Sequence, residues 1–145
     1  MTGASVPSFA RAHRFPVRVY WEDTDAGGIV YHAGHVRFFE RGRTEMLRAH
    51  GISQSATADR SLAEAVLFTV RRLEVDYLKP AALDDLLIVE TAVREIGGAR
   101  LLLDQRLTRG DDVVATAAVT VVMIGGNGRP MRIPMELRAL FEAIR

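Results

Sequence analysis

The sequence predicts an α+β fold in which an antiparallel sheet packs on one long helix. Three observations point there. Gly34 to His50 carries apolar residues at helical spacing. One stretch before it and four after it read as strands, by period-two alternation or by near-continuous apolar runs. Short glycine-bearing turns join the later strands, which suits hairpins and leaves no room for crossover helices. With 145 residues, 48% of them hydrophobic, the chain fills one domain with its own core. Residues 1–14, rich in Ser, Ala, Gly and Pro, are expected to form a flexible tail, and residues 15–145 the single domain.

Each element follows from its residues. Val17, Val19 and Trp21 alternate with Arg18, Tyr20 and Glu22, predicting a half-buried strand that starts near Phe15. In the helix, Val36, Phe39, Met46 and Leu47 share one stripe while arginines and glutamates cover the other faces, and Gly51 ends it. Gly42 falls on the apolar stripe and predicts close approach to the sheet, at about 1 kcal/mol of helix propensity relative to Ala. Arg41 is expected to pair with Glu45 four residues on.

Ser53 to Ser61 is polar and predicts no element. Val66, Phe68 and Val70 then occupy even positions, whereas Leu73, Val75 and Tyr77 occupy odd ones, so a β-bulge is expected at Arg71-Arg72. Lys79-Pro80 closes that strand. Leu86 to Ile96 and Arg100 to Thr108 form a hairpin across Gly97-Gly98. A turn at Gly110-Asp111-Asp112 leads into Val113 to Ile124, a central strand by its apolar and small residues on both faces. Pro134 opens a short helix from Met135 to Ile144. One long helix covers one sheet face only, so a second subunit is expected against other apolar surface.

Composition removes several function classes. Lys and Arg total 19 against 18 Asp and Glu, and this near balance offers no electrostatic case for nucleic acid as a partner. The absence of cysteine excludes disulfides, thiolate metal sites and cysteine nucleophiles. Met1 to Arg14 lacks the basic start and apolar run of a secretory signal, and Val113 to Gly125 is too short to span a bilayer, so a cytoplasmic location is expected. No serine-nucleophile elbow, dinucleotide fingerprint or Walker sequence is present.

Chemistry concentrates between the first strand and the helix, in Glu22-Asp23-Thr24-Asp25-Ala26-Gly27-Gly28-Ile29-Val30-Tyr31-His32. Carboxylates there stand beside unpaired N–H groups and the positive end of the helix dipole. Asp25 is suited to attack a carbonyl or to take a proton from water; equally, Asp23, Thr24 and Asp25 are turn and capping residue types. Gly27 and Gly28 allow a substrate close to the backbone. A helix-start N–H near Tyr31 and His32 is placed to polarise an ester or thioester oxygen, and the His32 imidazole offers an acid or donor. His32 and His35, near Asp23 and Asp25, match a metal site only loosely, so no metal is expected. Glu40 reads as a surface residue unless its face meets a site across a subunit boundary.

The run Val19 to His32, followed by Phe38-Phe39-Glu40-Arg41-Gly42-Arg43-Thr44-Glu45, resembles the hotdog-fold acyl-CoA thioesterases of the 4-hydroxybenzoyl-CoA thioesterase family, in particular the Tol-Pal-associated YbgC branch. Leu73 to Ala81 resembles that branch's strand after the helix. The resemblance implies an antiparallel five-stranded sheet wrapped around one long central helix. It also implies hydrolysis of acyl-CoA, or acyl carrier protein, thioesters. Asp25 matches the catalytic aspartate, and the carbonyl-polarising N–H falls at His32. Gly28 and Tyr31 line the implied pocket, with His35 and Glu40 as further substrate-binding candidates.

No cofactor is implied beyond the coenzyme A of the substrate, and the site lies between subunits of a homodimer or homotetramer, with an envelope association as a further expectation. Arg71, Lys79 and Arg100 are candidates for the coenzyme A phosphates. Two departures stand out: His32-Ala33-Gly34-His35 replaces the branch's usual His-Ala-Asn-Tyr, and Gly42 replaces a common alanine. Competing readings are an enoyl-thioester hydratase of the same fold and a non-catalytic acyl-binding or envelope-linked interaction protein.

Overall fold

Tight turns set the topology. In the computed structural model, which describes residues 6–59 and 65–145, β3 (Leu86–Ile96) turns at Gly97-Gly98 into β4 (Arg100–Arg109). Gly110, at φ 58°, and Asp111 turn β4 into β5 (Asp112–Gly125). The flanking strands β1 (His13–Arg18) and β2 (Val66–Tyr77) complete an antiparallel five-stranded sheet in the order β1-β3-β4-β5-β2. Helix α1 (His32–Ala49) ends at His50, with Gly51 at φ 81°, and it contacts β1, β3 and β4. Its Phe38, Phe39, Met46 and Leu47 enter one core with Val89, Leu101, Leu103 and Leu107 of the sheet. Gly42 makes the expected close approach: a Cβ there would collide with Val89 Cγ1 and stand 3.1 Å from Val89 Cβ. At the far end, α3 (Met135–Ile144), capped by Pro134, buries Phe141.

The bulge is present, with the β2–β5 register shifting between Val70 and Arg72. It lets β2 keep apolar side chains inward on both sides of a parity change. As an edge strand, β2 is largely exposed.

Several expectations are corrected. The first strand starts at His13, inside the stretch assigned to the tail, and stops at Arg18. Arg11 donates to the carbonyls of Ala143 (2.6 Å) and Arg145 (3.0 Å), and Arg106 lies over the Phe9 ring, so this segment lies against the domain. Trp21 points outward, 81% exposed, because residues 21–23 form a 3₁₀ turn in which Asp23 accepts from the Tyr20 N–H at 2.8 Å. Arg41 does not pair with Glu45: it lies over the Phe38 ring, and Glu45 pairs with Arg48 at 3.3 Å. The polar stretch forms a one-turn helix α2 (Gln54–Thr57), tied to α1 by the Gln54 amide donating to Thr44 Oγ1 at 2.7 Å; its expected end at Ser61 lies outside the described residues.

Candidate active site

The loop between β1 and α1 is folded by its own backbone. Asp25 N–H donates to the Ile29 carbonyl (2.9 Å), and Gly28 N–H donates to the Asp25 carbonyl (3.0 Å). Gly28 sits at φ 81°, so the turn uses a conformation that favours glycine. Its exit is fixed by Tyr31 N–H donating to the Asp23 carbonyl (2.9 Å) and Val30 N–H to the Ala81 carbonyl (2.8 Å). Asp23, buried, is thus a structural residue, its side chain spent on Tyr20.

Asp25 is exposed. One oxygen, Oδ1, accepts from Gly27 N–H at 2.8 Å, which orients the carboxylate and leaves the second oxygen for chemistry. It opens on a cleft of about 430 Å3 lined also by Ile29, Val30, His32, His35 and β2-end residues Tyr77 to Pro80. His32 is the first residue of α1, and Gly34 N–H donates to the Tyr31 carbonyl at 2.7 Å. That leaves the N–H groups of His32 and Ala33 without an acceptor among the described residues, at the positive end of the helix. Asp25 and His32, the residue carrying the first of these N–H groups, therefore line one cleft.

Tyr77 ties the cleft's two walls together. Its hydroxyl donates to the His32 carbonyl at 2.6 Å, and its ring meets His35 edge-on at 4.8 Å. His35 is 4% exposed, and its Nδ1 has no hydrogen-bond partner among the described residues. Burial holds its pKa below the ordinary imidazole value; the carbonyls of Tyr31 and His32 oppose this without meeting hydrogen-bond geometry, and the charge of His32 adds to the lowering. A Cβ at Gly34 would stand 3.2 Å from Val30 Cγ1, a tight contact that a shift of Val30 by a few tenths of an ångström would relieve.

The remaining candidates separate. Tyr31, exposed, caps α1 and stacks obliquely on His32, with ring centroids 4.4 Å apart. Glu40 lies two turns along α1 at a different cavity, its Oε1 accepting from Thr44 Oγ1 at 2.8 Å. Lys79 lines the cleft and pairs with Asp112 at 2.7 Å. Arg71 is exposed at the β2 bulge, and Arg100 lines a separate surface hollow with Glu95. Tyr77 as a cleft residue was not foreseen; its one signal is its place, an aromatic at a strand's end before Lys79-Pro80.

A five-stranded antiparallel sheet packed on one long helix is the hotdog fold, and here the loop that enters the helix borders a cleft. The profile of the thioesterase-like superfamily matches residues 19–141, and the chain belongs to that family. It is 45% identical to acyl-CoA thioesterase YbgC of Haemophilus influenzae over 90% of this chain and 95% of that protein. It is 44% identical to acyl-CoA thioester hydrolase YbgC of Escherichia coli over 89% of this chain and 95% of that one. A probable thioesterase from Bartonella henselae superposes with a TM-score of 0.81 at 39% identity, covering 85% of this chain and 99% of that structure.

Proposed function

We propose that this protein is an acyl-CoA thioesterase, with the Asp25 carboxylate and the His32 N–H as its working groups. The observation that carries the reading is that Asp25, its carboxylate oriented by Gly27 N–H, and His32, the first residue of α1, line one cleft. The thioester oxygen accepts from the His32 N–H, and the helix dipole stabilises the negative charge that develops there. Two steps suit Asp25. As a nucleophile, its free oxygen attacks the thioester carbon, the thiolate leaves and takes a proton, and water hydrolyses the acyl-aspartyl anhydride. As a general base, it takes a proton from the water that attacks directly. A single turnover in H2¹⁸O separates them, because only the anhydride route, with water opening the anhydride at the Asp25 carbonyl, places ¹⁸O in Asp25.

In this reading His35 shapes the acyl end of the cleft, whereas Gly28 and Tyr31, which do not line it, act through the loop's turn and the start of α1. Glu40 joins it only through a second subunit, and the exposed edge strand β2 supports a homodimer, or a homotetramer built from it. Light scattering behind a sizing column reads that state; a monomer removes Glu40 from the site. In this reading the enzyme works in the cytoplasm and uses no cofactor beyond the coenzyme A of its substrate; among the described residues no helix is long and apolar enough to cross a membrane. Acyl carrier protein thioesters are a second substrate class.

The test measures thiol release from short, long and aryl acyl-CoA with wild type and Asp25→Asn side by side. The expected loss in the variant is on the order of 10²–10⁴-fold. Equal rates for the two proteins refute the role of Asp25. No thiol release by wild type from any thioester refutes the function.

A further inference from the structure

His35 brings to the Asp25 cleft a buried imidazole that the fold does not use. Helical side chains lean back over the preceding turn, so the His35 ring, in the first turn of α1, lies over the residues that start the helix. The pull of the Tyr31 and His32 carbonyls on the imidazole reflects that placement. Those carbonyls already accept from Gly34 N–H at 2.7 Å and from the Tyr77 hydroxyl at 2.6 Å. The His32 N–H, which receives the thioester oxygen in the thioesterase reading, belongs to the same turn.

The two ring nitrogens have different surroundings. Nδ1, the nitrogen nearer the backbone, is sealed from solvent and has no partner among the described residues. The edge left to meet the cleft is the one that carries Nε2. Burial keeps the ring neutral near pH 7, and a neutral imidazole holds one proton and one lone pair. With carbonyl oxygens on the backbone side, the proton is favoured on Nδ1, and the Nε2 lone pair is turned to the cleft. Tyr77, edge-on to the ring, has spent its hydroxyl on His32. The other titratable groups of the cleft are Asp25, His32 and Lys79; Lys79 pairs with Asp112, and the charge of His32 opposes protonation of His35. The cleft therefore holds two unused acceptors, Nε2 and the second oxygen of Asp25.

Two acceptors suit a water molecule, which donates both hydrogens to them and turns a lone pair to the electrophile. We propose that His35 is a further catalytic residue, its Nε2 accepting one hydrogen of the attacking water while Asp25 takes the other. This role rests on the thioesterase reading and selects its general-base route. As the water oxygen bonds to the thioester carbon, Asp25 takes the proton, and the carbonyl pair moves onto the oxygen held by the His32 N–H. Collapse breaks the C–S bond, and the thiolate takes the proton back from Asp25, leaving acid and thiol. His35 gives and takes no proton; it aims the water.

Acyl-CoA hydrolysis followed as kcat and KM from pH 5 to pH 9 tests this role. His35→Phe keeps a ring against Tyr77 and offers no acceptor, so kcat is expected to fall on the order of 10²-fold while KM changes less than about threefold. His35→Gln carries an amide oxygen close to the place of Nε2 and is expected to keep kcat within about tenfold of wild type. Protonated His35 has no lone pair, so wild-type kcat should fall as pH drops, on the acid side of the ordinary imidazole value of about 6.5. In His35→Gln that fall is expected at lower pH. A single turnover in H2¹⁸O should leave Asp25 unlabelled. Any of three results overturns the proposal and leaves the thioesterase reading standing: a His35→Phe protein, folded by its thermal melt, with kcat within about threefold of wild type; an acid limb unmoved in His35→Gln; or ¹⁸O in Asp25. Wild type that releases no thiol from any thioester overturns both.

Discussion

Gln105→Leu removes the polar hub between α1 and the sheet with little change in volume. Three bonds go with it: Arg43 to Oε1, and Nε2 to Thr91 and to the Phe39 carbonyl. A bond to a charged donor is worth roughly 1.5–3 kcal/mol and a neutral one about 1 kcal/mol. The Phe39 carbonyl keeps its helical partner and counts only in part. The expected destabilisation is therefore roughly 3 kcal/mol, most of it from the stranded guanidinium. For a chain of this length that lowers Tm by roughly 6–12 °C. Urea denaturation followed by circular dichroism measures it, and a double-mutant cycle assigns it. Because the variant strands Arg43, adding Arg43→Met should recover about 1–2 kcal/mol. A single variant within about 0.5 kcal/mol of wild type, or a double variant whose costs simply add, would refute the reasoning.

Three further outcomes follow from the site. Tyr77→Phe loses the 2.6 Å bond to the His32 carbonyl; stability should fall by about 1 kcal/mol, and thioester turnover should fall while KM changes little, because the helix start is positioned and not built by that bond. Gly28→Ala meets no atom within 4 Å, so its expected cost, about 1–2 kcal/mol, is that of the left-handed backbone alone, read by urea denaturation. His35 has a folded-state pKa below its unfolded value, so the unfolded chain binds the proton more readily and stability rises with pH. Its contribution is complete above the unfolded value of about 6.5 and is lost as pH falls below it. Denaturation at pH 8 and pH 5 should show a smaller acid loss in His35→Phe than in wild type; equal losses would remove His35 as a cause.

Local pattern carried much of this architecture. The parity change from Phe68 and Val70 to Leu73 and Val75 forecast the bulge, and the glycine turns forecast both hairpins. Gly42 on an apolar stripe forecast a close helix–sheet approach. What pattern could not carry was non-local bonding. Alternation through Trp21 overran the strand because Asp23 folds back on Tyr20, a contact that periodicity does not encode. His35 lies on the helix's inner face, where its polarity hides it from a count of apolar residues. Gln105 gives no signal either, since its partners stand 14, 62 and 66 residues away in the chain. At the candidate site, Asp25 was legible from its motif, whereas Tyr77 enters through a fold-back of 45 residues.

The bulge on β2 also bears on which chains this protein can join. An unpaired strand edge is a template for any extended peptide, and long regular edges invite aggregation. Here the offset after Val70 divides the free ladder into residues 66–70 and 72–77, so a straight foreign strand can follow one half but not both. A strand carrying the same offset is the natural match for the whole edge. The irregularity that keeps Phe68, Leu73 and Val75 against the core thus also makes the edge a poor template for a long straight strand.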